Sequence, residues 1–305
     1  MKIGVVGAGK MGGNMARRWQ AGGIDVAVFD RSAAALEELD AVPGIRTVPA
    51  LSALVEALPA PRLLWLMLPT GKPTDQTIEE LLDLLTPGDL VVDGANAHYR
   101  DSQRHAKLFE ERSVAFVDAG VSGGIWGIDQ GYGLMLGGDA AAIERLAPLA
   151  RILAPSPDKG WVHCGPAGAG HFAKMVHNGI EYGLMQAYAE GFSLLAARQH
   201  DLELPLEKIA EAWCHGTVIR SWLLELTAAV LKDGESLASI APEVADSGEG
   251  RWTAQEAIDL GVPAPVINAA LMARFSSQGS GDFGARLLAM LRNAFGGHAL
   301  PRGNT

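Results

Sequence analysis

The residues of this sequence best suited to chemistry share one segment, Gly170 to Tyr182. At about 100° per residue, Lys174, His177, Asn178 and Glu181 fall within one helical arc of roughly 100°. Met175, Val176, Ile180, Leu184 and Met185, and further on Phe192 and Leu194, occupy the remaining faces. A helix apolar nearly all round is expected to be buried. Polar groups inside it cost free energy unless they line a cavity or find partners. Lys174 and Glu181 are two turns apart, about 10 Å along the axis, which is too far for an i,i+4 ion pair. Their long side chains could instead reach two different atoms of one small ligand. A desolvated lysine can serve as a general base and a glutamate can return a proton elsewhere, with His177 and Asn178 orienting the reacting group. A solvated charged face, or a buried polar network without catalysis, would give the same stripe.

A second constellation opens the chain. Gly7, Gly9 and Gly12 fit G-x-G-x-x-G directly after the apolar run Lys2–Val6 and directly before a helical pattern. The first glycine permits a tight turn and the second lets the backbone approach a pyrophosphate. The third allows close helix–strand packing, and the helix N-terminus favours the negative charge. The position between strand and helix makes this weak pattern far more specific. Asp30 follows the second apolar run, where a carboxylate can accept from a ribose 2′-OH, which favours NAD. Arg31 beside it could pair with a 2′-phosphate, so NADP stays open. Ser122, Gly123 and Gly124 follow a further strand-like run, and their backbone N–H groups could hold a carboxylate or phosphate, or form an ordinary turn.

These groups need elements to hold them. Short apolar runs at Lys2–Val6, Ile24–Phe29, Leu63–Leu68, Leu90–Val92 and Val114–Val117 alternate with helical patterns. That predicts a doubly wound parallel sheet covered on both faces, an α/β class. From Gly168 to about Arg198 runs a long helical pattern, followed by others near Leu206–Cys214, Arg220–Leu231, Trp252–Leu260, Pro265–Arg274 and Ala285–Phe295. The second half is therefore expected to be all helix. Pro, Gly and Asp cluster at Asp158–Gly168, which divides the chain into domains 1–165 and 166–305.

Composition narrows the class of function. The 305 residues are 48% hydrophobic and 20% charged, which suits a packed globular protein. Twenty-five lysines and arginines against 35 aspartates and glutamates give a net charge of −10, which argues against nucleic acid or an anionic membrane as the main partner. Only Cys164 and Cys214 occur, too few for a disulfide framework or a cysteine-rich metal site. The run after Lys2 breaks into glycines too soon for a signal-peptide core, and no 18-residue apolar stretch exists. The expected compartment is the cytoplasm.

The motifs together resemble the decarboxylating 6-phosphogluconate dehydrogenases in their short form of about 300 residues, within the β-hydroxyacid dehydrogenases. The similarity runs from Gly7–Gly12 through Val121-Ser122-Gly123-Gly124 to Lys174-Met175-Val176-His177-Asn178-Gly179-Ile180-Glu181-Tyr182. It continues through Gly248-Glu249-Gly250-Arg251-Trp252-Thr253 and Gly261-Val262-Pro263 to Arg292-Asn293-Ala294-Phe295-Gly296-Gly297-His298. The resemblance implies an N-terminal Rossmann domain, an all-α C-terminal domain with a long central helix, and a dinucleotide held at Gly7, Ala8, Gly9, Lys10, Met11, Gly12, Asp30, Arg31, Leu68 and Asn96. It implies that Lys174 takes the proton of the substrate 3-hydroxyl as hydride leaves C3. The 3-keto acid then loses CO2, and Glu181 protonates C1 of the enediol to give ribulose 5-phosphate. No metal is needed, since the β-keto group is itself the electron sink.

By the same resemblance, Asn96, Ser122, Gly123, Gly124, His177 and Asn178 surround the sugar acid, and Tyr182 and Arg274 hold its phosphate. Arg292 and His298 match a C-terminal pair that reaches a neighbouring subunit's site, which implies a homodimer or homotetramer. The chain departs from the long forms in three ways. Asp30-Arg31-Ser32 stands where they carry Asn-Arg-Thr, Ser247 stands where they place a phosphate-binding lysine, and the helical domain is not duplicated. Sister enzymes acting on hydroxyisobutyrate-like acids without decarboxylation share the lysine and asparagine but usually lack counterparts of His177 and Glu181. A catalytically silent dinucleotide sensor would keep the glycines and need neither Lys174 nor Glu181.

Overall fold

A computed structural model describes residues 1–232, 239–296 and 300. The chain forms two compact units, Met1–Met175 and Val176–Thr305. The strands are β1 (Lys2–Val6), β2 (Asp25–Phe29), β3 (Ile45–Thr47), β4 (Leu63–Leu66), β5 (Leu90–Asp93), β6 (Ala115–Ser122), β7 (Gly133–Gly138) and β8 (Trp161–Gly165). The helices of the first unit are α1 (Lys10–Ala21), α2 (Ala33–Asp40), α3 (Leu51–Glu56), α4 (Lys72–Leu84), α5 (Tyr99–Glu110), α6 (Gly127–Gln130) and α7 (Ala140–Leu153). The long helix α8 (Ala169–Ala197) begins in the first unit and continues into the second.

The eight strands form one sheet in the order β3-β2-β1-β4-β5-β6-β7-β8. Every described pair is parallel except β6 with β7, which run antiparallel from Val117↔Gly138 to Ser122↔Gly133. The expected parallel sheet is present, with this one antiparallel pair one strand in from its β8 edge. A tight return through Gly123–Gly131 replaces a crossover helix there, and antiparallel neighbours need no long connection. Three strands gave no burst in the sequence: β3 is three residues long, β7 is half glycine, and β8 is a half-exposed edge strand.

Alternation along the strands sorts the core onto two faces. Ile3, Val5, Val26, Val28, Trp65 and Val92 pack with Trp19 of α1 and Leu149 of α7. Leu64, Leu66, Val91 and Phe116 pack on the opposite face with Leu54, Ile78, Leu81 and Phe109 of α3, α4 and α5. A sheet covered on both faces must be apolar throughout its central strands, and β4 and β5 are wholly buried. Each buried side chain of this size contributes about 1.5–3 kcal/mol.

The second unit contains, after α8, the helices α9 (Gln199–Leu202), α10 (Leu206–Trp213), α11 (Trp222–Lys232), α12 (Glu249–Asp259), α13 (Pro265–Ser277) and α14 (Asp282–Gly296). No strand occurs among its described residues. Tyr182, Ala254, Ala270 and Leu271 form a small core there. No helix among the described residues is long and apolar enough to cross a membrane.

Candidate active site

The glycine-rich turn has the form its spacing implies. Gly7 takes φ +101°, a region open to glycine, and a Cβ there would strike the Met67 carbonyl. A Cβ on Gly12 would strike the Gly7 carbonyl, so both glycines are required by close backbone packing. At Gly9 a Cβ would meet open space, which leaves this backbone approachable from outside. No side chain caps α1, whose first residues are Lys10 and Met11. An anion at that helix end would be favoured by the exposed dipole, so these residues fit a dinucleotide pyrophosphate.

Asp30 binds the turn itself. Its Oδ2 accepts from the Ala8 N–H at 2.6 Å and its Oδ1 from the Ser32 N–H at 2.7 Å. Arg31 is exposed beside it, and Leu68, half-buried, follows β4.

The ends of β5 and β6 form a second group. Asn96 lies just past β5, in left-handed backbone at φ +51°. Its Nδ2 donates to the Val121 carbonyl at 3.1 Å, and its Oδ1 accepts from the Val121 N–H at 2.8 Å. Ser122 ends β6, and Gly123 and Gly124 both have positive φ, at +130° and +53°. Asn96 is therefore brought beside the Ser122-Gly123-Gly124 turn, with its amide engaged by that strand's backbone.

Asp118, also on β6, has a buried carboxyl. It accepts from the Gly168 N–H at 2.5 Å and the His171 N–H at 2.7 Å. Burial pushes this carboxyl above its usual range, while the charge of His171 and the donated N–H bonds pull the other way. The buried His171 ring meets the Ser102 hydroxyl at 2.7 Å, and burial holds its pKa down.

Lys174 is 5% exposed, as a candidate base should be. Its Cβ lies against Gly120, where a side chain could not be added without displacing it. Further along α8, the His177 Nδ1 meets the Asn178 Oδ1 at 3.1 Å and the Glu181 Oε2 at 3.9 Å. The side chains of His177 and Glu181 are 42% and 38% exposed. The polar stripe is real, but the expectation that the whole helix is buried does not hold. Ile180 is 53% exposed and Leu194 74%, with Leu184 and Met185 also exposed. Only the first two turns of α8 belong to the sheet-bearing unit, and beyond them its outward apolar positions lie uncovered in the single chain.

In the helical unit, the Arg274 guanidinium stacks on the Tyr182 ring at 3.4 Å and donates to the Ala245 carbonyl at 2.9 Å. The Tyr182 hydroxyl meets Asp246 at 3.3 Å and Ser247 at 3.2 Å. Burial alone would raise the Asp246 carboxyl, but hydrogen bonds from Arg251 and the Gly248 N–H hold it below the usual range. Tyr182, Ser247 and Arg274 thus converge. Arg292 stands exposed on α14. His298 lies outside the described residues.

Asp118, Gly120 and the Asp246–Arg251 pair were not anticipated from sequence. Two signals pointed to Asp118. It is a lone acid inside the apolar run Ala115–Val121, and a buried charge requires partners. In addition, the segment Gly165-Pro166-Ala167-Gly168 before α8 lacks the Ser, Thr, Asp or Asn that normally caps a helix, so its cap had to come from elsewhere.

A largely parallel sheet opened by this glycine turn, followed by a helical unit, defines a dinucleotide-binding dehydrogenase architecture. Residues 2–162 match the NAD binding domain of 6-phosphogluconate dehydrogenase, and residues 170–300 match the 6-phosphogluconate dehydrogenase C-terminal domain. The chain belongs to the 6-phosphogluconate dehydrogenase family. A Haloferax volcanii protein named as an NAD(+)-dependent, decarboxylating 6-phosphogluconate dehydrogenase is 42% identical over 303 residues, covering 99% of each chain. A Bacillus subtilis protein of the same description is 38% identical over 290 residues, which are 90% of this chain and 61% of that one. The solved 6-phosphogluconate dehydrogenase of Plasmodium falciparum superposes with a TM-score of 0.84 at 28% identity, covering all of this chain and 66% of its own. A Mycobacterium tuberculosis 3-hydroxyisobutyrate dehydrogenase shares the fold, with a TM-score of 0.68 at 22% identity.

Proposed function

We propose that this protein is a cytoplasmic, homo-oligomeric enzyme that oxidatively decarboxylates 6-phosphogluconate to ribulose 5-phosphate and CO2, with NAD as the preferred oxidant and NADP as an alternative. The observation that carries the proposal is the pairing of a buried lysine with a partly exposed glutamate two turns further along one helix. Oxidation alone needs a base; only a reaction that also breaks a C–C bond needs an acid to protonate carbon. A simple hydroxyacid dehydrogenase would have no use for Glu181.

NAD would be held by the turn from Gly7 to Gly12, by Asp30 and Arg31, and by Leu68 and Asn96. When bound, its nicotinamide supplies the hydride acceptor. Lys174 takes the 3-hydroxyl proton during oxidation, and its ammonium then stabilises negative charge on the 3-carbonyl oxygen as CO2 departs. Glu181 delivers a proton to C1, with His177 and Asn178 orienting the reacting group. Ser122, Gly123 and Gly124 offer donors to the sugar acid, while Tyr182 and Arg274 receive the phosphate. Arg292 and His298 are assigned to the substrate site of a neighbouring subunit. The division of labour follows domains 1–165 for the dinucleotide and 166–305 for substrate and assembly.

The test is direct. The protein is incubated with 6-phosphogluconate and either dinucleotide, while dinucleotide reduction and CO2 release are measured together. Equal amounts of both products are expected. Reduction without CO2 would refute decarboxylation, and no reduction would refute the substrate.

A further inference from the structure

One face of β6 sets the position of Lys174. Alternate residues of a strand share a face, so Asp118, Gly120 and Ser122 line up along the side that meets the start of α8. Asp118 receives the N–H groups of Gly168, the residue just before that helix, and of His171 in its first turn. Gly120, one step along, has the Lys174 Cβ against its backbone. Ser122, the next step, opens the glycine pair assigned to substrate. The helix can come this close because Gly120 and Gly137 on the strands and Gly170 on the helix project no Cβ at the crossing. A side chain on Gly170 would strike the Met135 and Asp118 carbonyls, and one on Gly137 would strike the Asp118 carboxyl and the Gly170 N–H.

An α-helix seated by two donated N–H bonds on one carboxylate is fixed both in height and in rotation about its axis. The Gly168 and His171 amides lie three residues apart, so the carboxylate spans almost one turn and permits one angular setting. Lys174 stands three residues beyond His171, about 4.5 Å further along, and therefore inherits that setting. The peptide dipoles of α8 add a favourable field at its N-terminus, where an acidic side chain is stabilised.

We infer that Asp118 is a positioning residue for the decarboxylating dehydrogenase reaction. Its carboxylate locks the start of α8 onto β6, with Gly120 as the matching gap, and so aims the Lys174 amine along the strand face towards Ser122. Asp118 touches neither substrate nor dinucleotide; it acts through Lys174. This assignment rests on the proposed function for its kinetic consequence, while the geometry itself does not depend on it.

Two variants test it, one removing charge and one adding bulk. In Asp118→Asn an amide N–H must face one of the two backbone N–H groups it replaces. In Gly120→Ala a methyl group must displace Lys174. Both are assayed per dinucleotide-binding site, titrated with NADH, so that misfolded protein is not counted. The expected result is a kcat lower by about 10–100-fold, since misplacement near 1 Å costs about that much. NADH affinity should stay within two-fold, and the deuterium isotope effect on kcat with 3-deuterated 6-phosphogluconate should rise as oxidation becomes limiting. A purely structural role would lower the number of binding sites and leave kcat per site and the isotope effect at their wild-type values; that outcome overturns the assignment.

A second readout needs no turnover. Limited labelling with acetic anhydride, read by mass spectrometry, should modify Lys174 faster in both variants than in the wild type. If the wild-type protein failed to turn over 6-phosphogluconate, the proposed function would fall. Labelling would still judge the positioning, and unchanged Lys174 reactivity in both variants would refute it.

Discussion

The side-chain amide of Asn96 and the backbone of Val121 exchange two hydrogen bonds, at 2.8 and 3.1 Å. This pairing continues a β-ladder after its strand has ended. β5 and β6 pair as far as Asp93↔Asp118, yet β6 runs on to Ser122. Beyond that register Val121, which lies beside Leu134 of β7, has no strand on its β5 side, and there the Asn96 amide partners both its N–H and its carbonyl. Its φ of +51° suits asparagine better than most residues.

Asn96→Ala should therefore act on stability as well as on substrate binding. Val121 is buried, so losing the amide leaves a donor and an acceptor unsatisfied, at about 1–3 kcal/mol for a buried polar group. The expected outcome is a lower Tm and a raised KM for 6-phosphogluconate. Asn96→Gly relieves the backbone strain but not the missing bonds, so its Tm should fall between those of wild type and the alanine variant. Thermal unfolding and initial rates on the three proteins check this, and a glycine variant as stable as wild type would show that only the backbone matters.

Asp30 is the second residue whose role can be weighed quantitatively. Its carboxylate holds the Ala8 N–H of the glycine turn, and a hydrogen bond to a charged group contributes about 1.5–3 kcal/mol. Asp30→Ala should weaken NAD binding by about 10–100-fold, at 1.4 kcal/mol for each factor of ten. NADP should lose less, because the variant removes a negative charge near the 2′-phosphate and leaves Arg31 in place. Titration with both reduced dinucleotides by fluorescence measures the ratio, and equal losses for the two would refute discrimination by Asp30.

Elements with a local cause were readable in the sequence. The Gly7–Gly12 turn, the central strands and the extent of α8 follow from periodicity, apolar runs and breakers confined to short windows. Gly133–Gly138 did not announce a strand because its pairing comes from β6 across a tight return, not from β-branched side chains. The candidate site divides in the same way. Lys174, His177, Asn178 and Glu181 share a face by helical spacing alone. Asp118 and Gly120 matter only because β6 lies against the start of α8, a contact between positions some 50 residues apart in the chain. Exposure of Ile180 and Leu194 could not be read from their hydrophobicity, since burial depends on what covers a face.

Asp93 gives a pH signature. It is fully buried at the end of β5, and burial pushes its carboxyl up to about 6 despite the N–H it accepts from Ala95. An unfolded aspartate titrates near 3.9, so between about pH 4 and 6 the folded state binds more protons than the unfolded one. The contribution of Asp93 to stability therefore falls as pH rises through that window and stays lower above it. Asp93→Asn keeps the acceptor for Ala95 and abolishes the titration. The variant should match wild type near pH 4 and exceed it in stability at pH 7.5. Urea unfolding at the two pH values checks the sign, and a variant less stable at pH 7.5 than wild type would refute it.

The division of work between Lys174 and Glu181 predicts that their variants fail at different steps. Lys174→Met removes the base for oxidation, so no dinucleotide should be reduced even in a single turnover, and kcat should fall by about 10²–10⁴, the usual worth of a positioned base. Its NADH affinity should stay within a few-fold, since the glycine turn and Asp30 are untouched. Glu181→Gln leaves oxidation and CO2 loss intact and withholds only the proton for C1. Rapid mixing should then show one equivalent of dinucleotide reduced at close to the wild-type rate, followed by a steady state slower by about 10²-fold or more. A glutamine variant without that burst would place Glu181 in the oxidation step, and one with wild-type steady-state turnover would remove it as the acid. The contrast between the two variants separates an acid at carbon from a second base, which a simple loss of activity could not do.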